Sequence, residues 1–74
     1  MDSILQISLP AARVNAGLTQ EQAAKKIGVT RQTIINWEKG KLAPRVPEMY
    51  AIADVYNIPQ ENIFIPTNST KSRV

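Results

Sequence analysis

The sequence contains no cysteine and no histidine. Without thiols there is no disulfide and no thiolate metal site, and without imidazole a zinc site is close to excluded. No metal or other cofactor is expected. Aromatics are scarce, with one Trp, two Tyr and one Phe. Long hydrophobic runs are missing too, and no segment is expected to cross a membrane. The segment Met1 to Pro10 lacks a basic n-region and carries an acid at Asp2, unlike a secretory signal. These absences leave a cytoplasmic protein as the expectation. They leave little for catalysis either. With no His, no Cys, no phosphate-binding glycine loop and no grouped carboxylates, an enzyme is not expected.

What is present is a chain of 74 residues, enough for one domain with a modest core. A core this small, with no metal or disulfide to assist it, favours short, well-packed helices. The net charge is only +3, but it is unevenly spread. Residues 13–45 hold Arg13, Lys25, Lys26, Arg31, Lys39, Lys41 and Arg45 against Glu21 and Glu38, a balance of +5. Residues 46–65 hold Glu48, Asp54 and Glu61 with no base, a balance of −3. A basic surface of this kind suits a polyanion. The alternative is chance imbalance in a small domain.

Helix signals can be placed one by one. Ser8 caps a first helix that runs to about Ala16, with Pro10 tolerated in its first turn and Gly17 stopping it. Leu9, Ala12 and Ala16 supply its apolar face. Thr19 opens a second helix, and Gln22 completes the reciprocal capping pattern. This helix runs to about Ile27 and buries Ala23, Ala24 and Ile27. Gly28 sits where a left-handed residue would end it, and Val29 plugs the turn. Thr30 caps a third helix, Arg31 to Lys39, ended by Gly40. A fourth helix spans Val46 to Tyr56, with Val46, Met49, Ile52, Ala53 and Tyr56 on one side. Asn57 and Pro59 close it. Gln60 to Phe64 reads as a short fifth helix or turn that buries Ile63 and Phe64.

Residues 1–8 read as an N-terminal arm or a short strand. As a strand, Ile4 to Ile7 would pair with Ile63 to Ile65; as an arm, it would pack on a partner subunit. Residues 9–65 form the expected domain. Residues 66–74 are polar and rich in Ser, Thr and Asn, and read as a flexible tail.

The informative stretch is Gln20 to Gly40. Ala24 is small where two helices must approach closely, Gly28 makes the tight turn, and Ile34 and Trp37 point inward from the next helix. Those offsets build two helices held at a steep angle by a three-residue turn. The run Gly17-Leu18-Thr19-Gln20-Glu21-Gln22-Ala23-Ala24, then Gly28-Val29-Thr30-Arg31-Gln32-Thr33-Ile34, then Asn36-Trp37-Glu38-Lys39-Gly40 closely resembles the phage-repressor and Cro-like (XRE-type) helix-turn-helix family. Pro44, Met49, Ile52-Ala53 and Ile63-Phe64 fall where that family places its core. The resemblance covers about residues 9–64. It implies an all-α, lambda-repressor-like bundle of about five short helices and sequence-specific binding of double-stranded DNA, usually as a homodimer on a near-palindromic operator.

The third helix can also be read without the resemblance. At 100° per residue, Ile34, Trp37 and Glu38 form an inward arc. Gln32, Asn36 and Lys39 oppose them, Thr33 and Ile35 flank, and Arg31 reaches outward from the first turn. Arg suits guanine, Gln or Asn suits adenine, and Thr suits a thymine methyl or polar edge. The expected base readers are therefore Arg31, Gln32, Thr33, Ile35 and Asn36. Ile35 has a second reading, as packing against the preceding helix. Expected phosphate contacts are Gln20, which resembles the family's backbone anchor, with Thr30, Lys39, Lys41 and Arg45; these position but do not read. A solvated surface suits Lys25 and Lys26 better. Glu38 on the inward arc would be costly alone. The family pattern implies that Arg13 pairs with it, a structural role. The competing function is an antitoxin-type or co-regulator module, with Ile58 to Ile65 as the surface for a protein partner.

Overall fold

A computed structural model describes residues 5–66 of the chain. Ile4 and all but Pro66 of the expected tail lie outside the described residues. The element order is β1 (Ile7–Ser8), α1 (Leu9–Asn15), α2 (Gln20–Ile27), α3 (Arg31–Lys39), α4 (Val46–Tyr56), a single 3-10 turn (Gln60–Asn62) and β2 (Ile63–Phe64).

Local chemistry sets the helix starts. Ser8 Oγ accepts the amide of Ala11 at 3.2 Å, and Pro10 sits in the first turn of α1, where no intrahelical donor is needed. At α2, Thr19 Oγ1 accepts from Gln22 N at 3.1 Å while Gln22 Oε1 accepts from Thr19 N at 2.9 Å. At α3, Thr30 Oγ1 accepts from Thr33 N at 3.1 Å. At α4 the cap residue is Arg45, which has no acceptor. Only the return half of a capping box forms there, with Glu48 Oε1 accepting from Arg45 N at 2.7 Å.

The turn between α2 and α3 depends on Gly28. Its φ of 95° lets both Gly28 N and Val29 N donate to Ala24 O, at 2.8 and 2.9 Å. The chain then reverses within three residues, Gly28 to Thr30, and α3 crosses over α2. Gly40 ends α3 at φ 78°, and a Cβ there would meet Pro66 Cβ at 3.2 Å. The chain beyond β2 therefore passes directly over the end of α3.

The core consists of Leu9, Ala12, Ala23, Ala24, Ile34, Trp37, Ile52, Tyr56 and Ile63. Ala23 and Ala24 keep α2 thin, so that α3 and α4 both close on it. Trp37 is the largest fully buried side chain; its indole Nε1 has no hydrogen-bond partner among the described residues, so packing is what holds it.

β1 and β2 form a two-stranded parallel sheet in the register Ile7↔Ile63 and Ser8↔Phe64. Side chains reinforce the clip: Asn62 Nδ2 donates to Leu5 O at 2.7 Å, and Gln6 Nε2 donates to Glu61 O at 3.3 Å. Residues 7–8 thus pair with residues 63–64 of the same chain.

The fold class is all-α, with four α-helices among the described residues where five short helices are expected from the sequence. Pro59 precedes the fifth stretch, and the backbone of Ile63 and Phe64 is drawn into the sheet, so only a 3-10 turn is left. Three expected burials also differ. Phe64 is half exposed because its strand neighbour Ile63 takes the inward face. Ile27 is only partly buried. Val46 is 65% exposed, because on the α4 wheel it falls on the arc of Tyr50 and Asp54 rather than that of Ile52 and Tyr56.

Candidate nucleic-acid interface

Because a threonine caps both α2 and α3, Gln20 and Arg31 each occupy the first helical position. The packing of α3 on α2 brings these two starts together, and Arg31 Nη2 donates to Gln20 Oε1 at 3.3 Å. Gln20 Nε2 in turn donates to Glu38 Oε1 at 3.1 Å. The other carboxylate oxygen, Glu38 Oε2, accepts from Arg13 Nε at 2.7 Å, and Arg13 Nη1 donates to Leu18 O at 2.9 Å. One continuous network thus runs from α1 through α3 and α2 back to the first turn of α3.

The Arg13–Glu38 pair is nearly shielded, with side-chain exposures of 13% and 8%. Taking two charges out of water is costly, and good geometry with further hydrogen bonds offsets it. Here the guanidinium also binds a carbonyl, and the carboxylate also takes the Gln20 amide. Tyr56 of α4 lies within the field of this pair. Burial, helped by the Glu38 charge and opposed by Arg13, pushes its phenol up to about 12.

Outside this network, the solvent side of α3 carries its own order. Gln32 Nε2 donates to Asn36 Oδ1 at 3.1 Å across one helical turn. Among the described residues nothing else engages Gln32 Oε1 or Asn36 Nδ2, an adjacent acceptor and donor. An adenine edge presents the complementary donor and acceptor. Arg31 and Gln32 are exposed, whereas Thr33, Ile35 and Asn36 are partly buried. The Thr33 hydroxyl lies 3.0 Å from that of Thr30, so both hydroxyls are engaged in the cap.

Of the residues suited to phosphate, Gln20 is partly buried and spends one amide hydrogen on Glu38, leaving the second. It stands at the α2 N-terminus, where first-turn amides and the positive end of the dipole favour an anion. Thr30, Lys39, Lys41 and Arg45 are exposed. Lys41 N donates to Asn36 O at 2.9 Å, which anchors the loop after α3. Arg45 Nε is 3.9 Å from Glu48 Oε1, a solvated pair of little strength.

The Gln20–Arg31 contact has no signature in the sequence, since it depends on how two helices cross. The sequence places Gln32 and Asn36 on one outward arc, and the structure adds the hydrogen bond between them. The arrangement offers donors, acceptors and positive charge. Among the described residues no group of three or more His, Cys, Asp or Glu could hold a metal. No described helix is long and apolar enough to cross a membrane.

Comparison with known proteins gives a consistent set of likenesses. The family described as helix-turn-helix matches residues 11–59. An uncharacterized HTH-type transcriptional regulator of Archaeoglobus fulgidus is 49% identical over 53 residues, 72% of this chain and 76% of its own. A second such protein of that organism is 47% identical over 53 residues, covering 72% and 75%. One of Methanocaldococcus jannaschii is 52% identical over 48 residues, covering 65% and 73%. No solved structure matches the chain.

Proposed function

The chain belongs to the helix-turn-helix family, a family of DNA-binding transcription regulators rather than enzymes, and on that premise we propose that it represses transcription, or switches it in the manner of a Cro protein, by laying α3 in the major groove of an operator. In this reading residues 9–65 are the DNA-binding domain, and the protein works in the cytoplasm as a homodimer on a near-palindromic site. Arg31, Gln32, Thr33, Ile35 and Asn36 face base edges. Gln20, Thr30, Lys39, Lys41 and Arg45 face phosphates.

The observation that carries the proposal is the division of α3. Ile34 and Trp37 are buried, and Glu38 is locked to Arg13. The opposite side presents Arg31, Gln32 and Asn36, and no acid. A helix fixed by one face and offering amides and a guanidinium on the other is suited to direct readout. With Thr33 donating to Thr30, the Thr30 hydroxyl keeps its own hydrogen for a phosphate, and Thr33 offers its methyl group.

The competing reading, a co-regulator or antitoxin-type module working through residues 58–65, has less support. Ile63 is buried and paired with Ile7, and Ile58 and Ile65 pack against the core. Of the large apolar side chains of that segment, Phe64 alone stays half exposed for a partner.

The test is selection of bound sites from a random duplex pool, followed by a salt titration on the selected site. The expected site has two related half-sites about one helical turn apart. Log K should fall with log salt at about −0.9 per phosphate contacted. Recovery of no preferred sequence, or an affinity indifferent to salt, would overturn the proposal.

A further inference from the structure

Gln32 and Asn36 stand one helical turn apart on α3, and Gln32 Nε2 donates to Asn36 Oδ1 at 3.1 Å. A carboxamide has one acceptor oxygen and one donor nitrogen. The link therefore joins the donor end of Gln32 to the acceptor end of Asn36. It leaves Gln32 Oε1 and Asn36 Nδ2 for an outside ligand, an acceptor from one side chain and a donor from the other. Their neighbours do not compete for them. Among the described residues Arg31 is turned to Gln20, the Thr33 hydroxyl to Thr30, and Glu38 to Arg13 and Gln20.

Two linked amides differ from two separate ones in what they can read. A free glutamine or asparagine covers an adenine edge alone, using both of its own ends. Two such residues acting separately would specify two bases. Linked, they share one edge with an acceptor beside a donor. In the major groove adenine offers N6 as donor and N7 as acceptor, which match Gln32 Oε1 and Asn36 Nδ2. Guanine offers two acceptors, so its O6 would face Gln32 Oε1 unpaired. Cytosine offers a donor but no acceptor, and thymine an acceptor but no donor.

We infer that Gln32 and Asn36 read a single adenine jointly, as one composite amide, and that the bond between them sets this preference. The inference rests on the DNA-binding reading and adds to it a base identity and a shared position. Because the link forms within α3 itself, less side-chain freedom is lost when DNA arrives.

The test uses the full chain on the selected site, with adenine exchanged for guanine at each A·T pair in turn. Gln32→Ala, Asn36→Ala and the double variant are compared with wild type, and melting temperatures confirm folding. Both single variants are expected to lose about tenfold or more of the adenine preference at the same pair, equivalent to roughly 1.4 kcal/mol. The double variant is expected to lose little beyond either single one, since the two residues act as a unit. Asn36→Asp supplies a gain to look for. It keeps Oδ1 for Gln32 but puts an acceptor where the donor stood. Preference at that pair should then move from adenine to cytosine, whose N4 donates, whatever the change in overall affinity. Three results would overturn the inference and leave DNA binding intact: losses at different pairs or at no A·T pair, single-variant factors that multiply in the double variant, or an Asn36→Asp protein that still prefers adenine. If wild type selects no sequence, the DNA-binding reading fails first and the inference falls with it.

Discussion

Where α2 and α3 begin, a threonine hydroxyl caps each helix; where α4 begins, Arg45 has no acceptor to offer and Glu48 alone reaches back. The α2–α3 pair also buries Ile34 and Trp37 completely and is crossed by the Arg13–Glu38–Gln20–Arg31 network. The α4 half is fixed by apolar packing on one side and leaves Val46 and Tyr50 in water on the other. Charge divides along the same line, basic over residues 13–45 and acidic over residues 46–65. Reading bases requires side chains held to a fraction of an ångström, and redundant anchoring supplies that.

The largest contrast is expected in stability. Trp37→Ala should cost about 3–5 kcal/mol from the cavity it leaves. Glu38→Ala should cost roughly 3 kcal/mol by leaving the Arg13 charge shielded and unpaired. Tyr50→Ala should change stability by no more than about 0.5 kcal/mol. Denaturant melts of the three variants measure this directly, and a Tyr50→Ala cost matching that of Trp37→Ala would erase the distinction.

The two halves meet at Tyr56, and pH can sharpen the comparison there. Its phenol is raised from 10.0 to about 12 in the folded protein. The folded state therefore holds the proton more tightly than the unfolded chain does. The associated stability is fully present below pH 10 and is lost as pH rises to 12. About 2–3 kcal/mol is at stake. Melts of wild type and Tyr56→Phe across this range should part on the alkaline side, wild type falling below the variant as its phenol ionises. Parallel profiles would mean that the phenol is not held as described.

A smaller effect is expected at the turn between α2 and α3. At Gly28 a Cβ would meet no neighbouring atom, so only the backbone φ of 95° penalises substitution. Gly28→Ala should cost about 1–2 kcal/mol. A cost near zero would show that the turn adjusts, and that the α2–α3 half is less rigid than its caps imply.

The α2–α3 half was the more legible of the two in the sequence. Thr19, Gln22, Gly28, Thr30 and Gly40 each act locally, through their own backbone or a residue three or four positions away. Such interactions can be read from spacing alone. The α4 half depends on position in space. Val46 shares the helical period of the core but lies in the first turn, on the exposed arc. Phe64 looks like core until the pairing of Ile7 with Ile63 decides which strand residue turns inward. In the candidate site, the sequence separates the two faces of α3. It cannot show that Arg31 and Gln20 touch, because that contact exists only once the helices have crossed.

The central claim is that the outward face of α3 reads bases while its inward face only holds it. Site selection from a random duplex pool, run in parallel with wild type, Arg31→Ala, Gln32→Ala and Asn36→Ala at matched melting temperatures, tests it most directly. Each variant is expected to lose its preference at a particular base position, worth about 1–3 kcal/mol, and to keep the rest of the site. Variants that bind every sequence proportionally less well, with the wild-type preferences intact, would contradict the claim and confine these residues to the phosphate backbone.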